Sequence, residues 1–264
     1  MAAPLSFALV GWSIVATLML LLWLIHLKTG NAAIVDVGWA AGLGILAAYY
    51  AIVGPGYAGR KCAIAVMAGI WSLRLAVYLL FARVVGHPEE GRYVELRKRW
   101  KRSLPLRFLL FFQIQALLDV VLSVPFLIAC FDPAQSIGRP EMIGGAIWIV
   151  GLIGEIAADS QLDRFKRNPA NRGRLCRVGL WNYSRHPNYF FEWLIWIGYG
   201  VFALGSPWGW LGLIAPGLIL YFLLGLTGIP ATESQAVRSR GEQYRQYQRT
   251  TSAFIPWFPR KDHA

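Results

Sequence analysis

Seven apolar stretches, at residues 5–27, 32–53, 62–82, 106–131, 141–162, 187–204 and 208–229, dominate this chain. Each approaches the ~20 residues that, at 1.5 Å rise, cross the hydrocarbon core of a bilayer. In lipid a segment must satisfy its own backbone hydrogen bonds, and a helix does so without a partner. The pattern predicts an all-α integral membrane protein with seven transmembrane helices. Composition agrees, because 56% of the 264 residues are hydrophobic and only 15% are charged, against about 25% charged in soluble domains. Twelve tryptophans fit the bilayer interface. Gly54-Pro55-Gly56, Asp132-Pro133 and Ser206-Pro207 supply turns between stretches.

Basic residues set the orientation. Twenty-two Lys and Arg follow the first, third, fifth and seventh stretches, whereas Arg60, Lys61 and Arg139 fall on the opposite side. The positive-inside rule then puts the N-terminus outside and the C-terminus in the cytosol, in what would be a bacterial inner membrane. Residues 5–27 have no basic region before them and read as a retained span. The net charge of +12 sits in loops between spans, a placement that suits topology, anionic lipid and phosphate better than nucleic acid. Cys62, Cys130 and Cys176 are odd in number and far apart, so neither a disulfide framework nor a metal site is expected. Cys62 and Cys130 read as packing residues. Cys176, among arginines, has a lowered-pKa reading beside the packing one.

The stretch from Glu155 to Glu192 concentrates the polar chemistry. Glu155, Asp159 and Asp163, at i, i+4 and i+8, share one helix face. A basic loop follows, with Arg164, Lys166, Arg167, Arg172, Arg174 and Arg177, and then Ser184-Arg185-His186-Pro187. Proline fits the first turn of a helix, so Pro187 should open one that carries Asn188 and Glu192. A helix N-terminus beside clustered cations suits phosphate groups, and the nearby carboxylates suit sugar hydroxyls. Together these groups suit a nucleotide cofactor.

Polar groups inside spans usually mark function. Asp36, Arg74, Gln113, Gln115, Asp119 and Glu192 qualify. An isolated buried Asp36 would stay protonated and could donate to a substrate oxygen, while the plainer alternative is a structural hydrogen bond or an ion pair with Arg74. The loop from His87 to Arg107 reads as a charged, weakly amphipathic segment on anionic lipid or as a cover for a cofactor. In the tail, Glu233, Arg240, Tyr244 and Tyr247 precede Phe254-Ile255-Pro256-Trp257-Phe258-Pro259, which is too short to cross and should lodge in the interface.

From Asp159 through Glu192, and in the tail ending at Phe258, the chain resembles the steroid 5α-reductase superfamily, in particular its uncharacterised bacterial branch. That resemblance implies seven helices enclosing NADPH and hydride transfer to the carbon–carbon double bond of an enone. Asp159 resembles the family's acid contacting the cofactor, Lys166 stands where the family has an arginine, and Arg174 falls on another cofactor arginine. Gly179-Leu180-Trp181 resembles a Gly-Leu-aromatic turn. Asn188, Tyr189 and Glu192 resemble an Asn-x-x-x-Glu motif, and Arg74, Tyr78 and Arg83 match positions of the third helix. Two positions depart from the pattern: Trp71 stands at the family's tyrosine, and only Asp36 offers an acid in helix two. The Arg185-His186-Pro187 triplet is also similar to that of sterol C14-reductases and of isoprenylcysteine and phospholipid methyltransferases, which use S-adenosylmethionine.

The resemblance implies a single membrane domain over residues 1–264, with 1–105 on the substrate side and 106–264 binding the cofactor. It implies NADPH held by Asp159, Arg164, Lys166, Arg167, Arg174 and Tyr183, and by Arg185, His186, Asn188, Tyr189, Glu192, Glu233, Arg240 and Tyr244. Asp36, Arg74 and Glu192 are the expected catalytic groups, acting on a steroid- or isoprenoid-like lipid. An S-adenosylmethionine-dependent lipid methyltransferase and a non-catalytic lipid-binding protein are the alternatives.

Overall fold

The computed structural model describes residues 2–100, 103–226 and 228–260. Lys101, Arg102 and Lys261, counted among the cytosolic basic residues, lie outside them, as does Thr227 in the seventh stretch. The chain is all-helical, 80% helix, and among the described residues the only β pairing is one isolated bridge between Ser184 and Ser252. The α-helices are α1 (Ala2–Thr29), α2 (Ile34–Val53), α3 (Ala58–Leu79), α4 (Gly91–Trp100), α5 (Leu104–Leu122) and α6 (Val124–Phe131). They continue with α7 (Arg139–Arg167), α8 (Leu180–Tyr183), α9 (Pro187–Ala203), α10 (Ile214–Tyr221), α11 (Ile229–Arg240) and α12 (Glu242–Thr250).

Among the described residues, six helical segments are long and apolar enough to cross a membrane: Pro4–Thr29, Ile34–Val53, Ala58–Val84, Leu104–Leu122, Arg139–Arg167 and Gly209–Arg240. Large apolar side chains such as Leu5, Ile52, Leu73 and Ile153 stand exposed along them. A water-soluble protein could not carry so much exposed apolar surface, which suits contact with lipid. The chain is therefore a multi-pass integral membrane protein. The stretch expected at 187–204 folds as α9, whose 17 residues reach about 25 Å, at the short limit for a span. The stretch expected at 106–131 is interrupted at Ser123. Pro125 has no N–H to give to the preceding turn, and α6 restarts with Phe126 N–H donating to Ser123 O (2.9 Å).

Two compact units make up the chain, Met1–Arg139 with Ala203–Gly212, and Pro140–Phe202 with Leu213–Ala264. In the first, α2 is central and packs against α1, α3, α5 and α6. Small residues permit this: Ser72 Oγ–H donates to Ala40 O (2.6 Å), and an added Cβ at Gly44 would meet that same hydroxyl at 2.3 Å. At one end, Arg60 is 1% exposed and ion-pairs with Asp132 at 3.3 Å. It also donates to the carbonyls of Ala134 (2.9 Å) and Ser136, tying down the turn after α6.

In the second unit α9 lies close against α7. A Cβ at Gly144 would sit 2.4 Å from Phe202 N, and one at Gly198 would sit 2.8 Å from Trp148 N. Without a hydrophobic driving force in lipid, this backbone approach supplies the dispersion contact that holds the pair. α11 and α12 complete the unit as a helical tail.

Removing one partner of a buried ion pair leaves an uncompensated charge. Arg60→Ala is expected to cost about 3 kcal/mol, seen as a lowered melting temperature in detergent, whereas replacing an exposed cation such as Arg139 should leave it within about 0.5 kcal/mol.

Candidate functional site

The second unit gathers most of the sequence-predicted polar residues. Its geometry starts at Gly179, whose φ of +55° is a conformation that favours glycine. A Cβ there would also lie 2.5 Å from Gln161 Oε1. That oxygen accepts from Leu180 N–H (2.8 Å), and Trp181 Nε1–H donates to Ala158 O (2.9 Å). These two bonds return the chain to α7 after the basic loop and start the one-turn α8.

Next comes the Ser184-Arg185-His186-Pro187 segment, which is fully buried. Ser184 bridges to Ser252 in the tail, and its Oγ–H donates to Phe254 O (2.8 Å). Arg185 Nε–H donates to Glu233 Oε1 at 2.7 Å, and its Nη1 donates to Gln248 O (3.0 Å) and to Thr251 O. His186 Nε2 lies 3.2 Å from the same carboxylate oxygen, which requires the Nε2–H tautomer. Gln248 Nε2–H donates to Glu233 Oε2 at 2.7 Å. One carboxylate on α11 thus collects α12, the tail and the segment before α9. His186 also stacks on Tyr189 at 5.3 Å and 11°. Tyr244 is buried beside this cluster, and burial, with the Glu233 charge next, pushes its phenol up to about 12.

These contacts correct the expectation for Arg185. Its guanidinium is spent on Glu233 and two tail carbonyls, so it fastens the tail and is not available to grip a pyrophosphate. Tyr183 likewise serves the tail: its carbonyl accepts from Trp257 N–H (2.9 Å) and its ring meets Phe258 edge-on at 5.9 Å.

A different set of cations faces a small cavity. Lys166 at the end of α7, Arg172 and Arg174 in the following loop, and Arg240 at the end of α11 line a pocket of about 140 Å³ with Asn171 and Cys176. No acidic side chain is among the residues that line it. The loop is shaped by Asn168, whose Oδ1 accepts from Ala170 N–H (3.0 Å), and by Asn171, whose Nδ2–H donates to Phe165 O (3.0 Å). Arg164 and Arg167 lie exposed on the last turn of α7. Cys176 is buried, and burial pushes its thiol up, against weaker lowering by its bond to Val178 and by Lys166, the opposite direction from the lowered-pKa reading.

On the helix pair, Asn188 Nδ2–H donates to Asp159 Oδ1 at 3.3 Å, joining α9 to α7 at the half-buried acid. One turn deeper on α9, Glu192 Oε1 accepts from Trp196 Nε1–H at 2.9 Å. Asp159, Asn188 and Glu192 therefore share one side of this pair. Such groups can accept from hydroxyl or amide donors of a polar ligand.

Asp36 and Arg74 belong to the first unit. Asp36 is not an isolated acid, because its carboxylate accepts from Tyr93 Oη–H at 2.7 Å and pairs with Arg92 and with Arg83 at 3.4 Å. The carboxylate is tied to three neighbouring side chains and is not the isolated acid expected from the sequence. Nor is its ionic partner Arg74, which lies half-buried further along α3. Glu89 makes a parallel clasp, accepting from Ala32 N–H (2.9 Å) and from Arg97 (2.7 Å). The pair holds α4 on the start of α2, and Tyr93 is driven well above the ordinary phenol value by burial and then by the Asp36 charge. The charged loop is thus a pinned helix and not a segment resting freely on lipid.

Sequence reasoning missed Gln161, Gln248 and the cation–π contact of Arg177 over Tyr247 (4.9 Å). All three act between residues 15 or more positions apart, beyond the reach of local pattern.

The fold and site define a multi-pass helical membrane protein with a basic, tail-closed pocket. Residues 22–251 match a family described as a protein of unknown function, DUF1295, and the chain belongs to that family. No curated protein matches the chain, and no solved structure does.

Asp36→Asn is expected to raise amide hydrogen exchange across residues 89–97 by about tenfold or more, since charge-assisted bonds to Arg92 and Arg83 are lost. Unchanged protection there would remove Asp36 from its anchoring role. Glu233→Ala leaves Arg185 buried without its carboxylate and should cost about 3 kcal/mol. Protease cleavage between residues 244 and 260 should accelerate in that variant while cleavage in α4 stays unchanged.

Proposed function

We propose that this protein is an NADPH-dependent membrane reductase of the steroid 5α-reductase type, acting on the C=C bond of an α,β-unsaturated ketone in a steroid- or isoprenoid-like lipid. The observation that carries the reading is the acid-free pocket formed by Lys166, Arg172, Arg174 and Arg240. Four cations around so small a space call for a doubly charged anion such as a phosphomonoester. NADPH carries one, at the ribose 2′ position, and S-adenosylmethionine carries no phosphate. The residues therefore fit the phosphate-bearing end of the dinucleotide. In this reading Asp159, which accepts from Asn188, also accepts from sugar hydroxyls, and Glu192 from the carboxamide.

When bound, the nicotinamide supplies the hydride. The chain's own part is positioning and charge. Lys166 and the arginines neutralise phosphates. Arg74, a cation within a span, can stabilise negative charge developing on a substrate oxygen. Asp36 holds α4 and positions Tyr93. In this reading α9 is the seventh span, the N-terminus is outside, the basic loops and tail are cytosolic, and the protein resides in a bacterial inner membrane.

One observation favours a second reading. The buried Arg185-His186-Pro187 triplet, with Arg185 and His186 meeting Glu233, is shared with the S-adenosylmethionine-dependent lipid methyltransferases, although those enzymes usually carry paired glutamates at the start of the tail and this chain has Glu233 followed by Ser234. Thermal melting of the detergent-purified chain separates the two, because a ligand that binds the native state raises the transition. A rise with NADPH is expected, weaker with NADH. Lys166→Ala should lower NADPH affinity about tenfold, the loss of one charge-assisted bond, and leave NADH nearly unchanged. A rise with S-adenosylmethionine alone would select the methyltransferase, and no rise with any of the three would end the enzyme reading.

A further inference from the structure

Two cavities in the second unit differ in what is left to their cations. The larger, about 530 Å³, lies by the tail ring that residues 250–260 form, where Arg260 N–H donates to Thr250 O at 2.8 Å. Of its cations, Arg185 is held by Glu233 and Arg249 by Glu242 at 2.9 Å. The smaller, about 140 Å³, is lined by Lys166, Arg172, Arg174 and Arg240. Among the described residues none of these four side chains enters an ion pair.

The four come from two separate pieces of chain. Lys166 lies on the last turn of α7, and Arg172 and Arg174 follow it in the loop, whereas Arg240 is the last residue of α11. With no acid among the lining residues, four like charges around so small a space repel one another. Arg240 sits on an element that the other three do not share, so the repulsion pushes the end of α11 off the loop. What opposes it is on the same helix. Glu233, Ala236, Val237 and Arg240 stand at i, i+3, i+4 and i+7 and share one face. Glu233 is clamped by Arg185, His186 and Gln248, and Ala236 and Val237 are half-buried between the two charges. The helix stops just beyond Arg240 at Gly241, whose φ is +55° and whose N–H donates to Val237 O at 2.9 Å. Arg240 is thus presented to the pocket by a clamp two turns away, about 10 Å along the helix.

We propose that this pocket is an anion-operated latch for the tail. A multiply charged phosphate bound there turns the repulsion into attraction, bridges Arg240 to Lys166, Arg172 and Arg174, and fastens α11 and α12 to the end of α7. Glu233, which does not line the pocket, is the positioning residue that holds Arg240 in reach of the anion. By linkage, a docked tail raises the affinity for the anion to the same degree that the anion fastens the tail. The inference rests on the phosphate reading of this pocket and holds whether NADPH or another ligand bears the phosphate.

Hydrogen exchange and calorimetric titration of the full chain in detergent, with inorganic pyrophosphate and with NADPH, test this. Saturating pyrophosphate should slow amide exchange over residues 237–248 about tenfold, the worth of one charge-assisted bond, and leave α4 unchanged. Arg240→Ala should bind pyrophosphate about tenfold more weakly through the three remaining cations and show no slowing when saturated. Its ligand-free tail should exchange no faster than wild type, because a repelling charge is gone. Arg240→Lys should recover the slowing. Glu233→Gln should weaken pyrophosphate about fivefold in the wild-type background and not at all in Arg240→Ala, since the two act through one contact. Gln248→Ala, which spares the Arg185 pair, should repeat that pattern in a tail that stays docked. An equal loss from Glu233→Gln in the two backgrounds overturns its positioning role. Failure of both ligands to bind overturns the latch together with the phosphate reading. A tail fastened by pyrophosphate in a chain that does not bind NADPH upholds the latch and counts against the reductase. Both ligands bound with tail exchange unchanged overturns the latch and leaves the reductase reading standing.

Discussion

A single carboxylate, that of Glu233, decides how the second half of this protein is put together. It receives Arg185, His186 and Gln248 within 3.2 Å. Those partners come from the segment before α9 and from α12, so one acid joins pieces of chain that lie up to 63 positions apart. A half-buried anion with three donors is held far more firmly than an exposed ion pair, whose worth seldom exceeds about 1 kcal/mol. Without it, Arg185 would be a buried cation facing only carbonyls, and the tail ring would lose its inner support. Both cavities in this unit depend on that fastening, because Arg240 reaches one from α11 and Arg185 walls the other.

The first unit uses ion pairs in the same way, at both of its ends. Arg60 with Asp132 secures the turn after α6, and Asp36 and Glu89 clasp α4. In each case a charge inside or beside a span is matched by opposite charge and backbone groups, which is the condition for leaving it there at all. Charges that looked like chemistry in the sequence therefore divide into those that hold helices and those that face open space.

Helix class and membrane character were legible because they rest on local pattern: apolar length, turn residues and the Pro187 start. Span limits were less so. Residues 106–131 read as one run, yet Pro125 divides it, whereas 187–204 read as the shortest stretch and closes at Ala203, one residue early. The basic loop was legible as a cluster, and the structure gathers Lys166, Arg174 and Arg240 around one pocket. Which arginines are spent internally was not legible. The partner of Arg185 is 48 residues away and that of Asp36 is 56 residues away, and nothing in local spacing distinguishes an arginine facing a carbonyl from one facing solvent. The same gap explains Asp36. Its neighbours in sequence are apolar, so it read as isolated, while its partners are Arg83, just past α3, and Arg92 and Tyr93 on α4.

That division bears on what the pocket can hold. A cation whose valences are filled by a carboxylate has little attraction left for a ligand anion, since the two compete for one charge. Arg185 is in that state, whereas Lys166, Arg172, Arg174 and Arg240 line a space that holds no acid. The proposed preference for a phosphate-bearing ligand rests on where the protein has withheld carboxylates. Within the same unit the acids stand elsewhere, Glu233 at the clamp and Asp159 and Glu192 on the helix pair. A ligand that carries both phosphates and hydroxyl or amide donors matches this separation of charge, and a small anion alone would leave the acids on α7 and α9 with no role in binding.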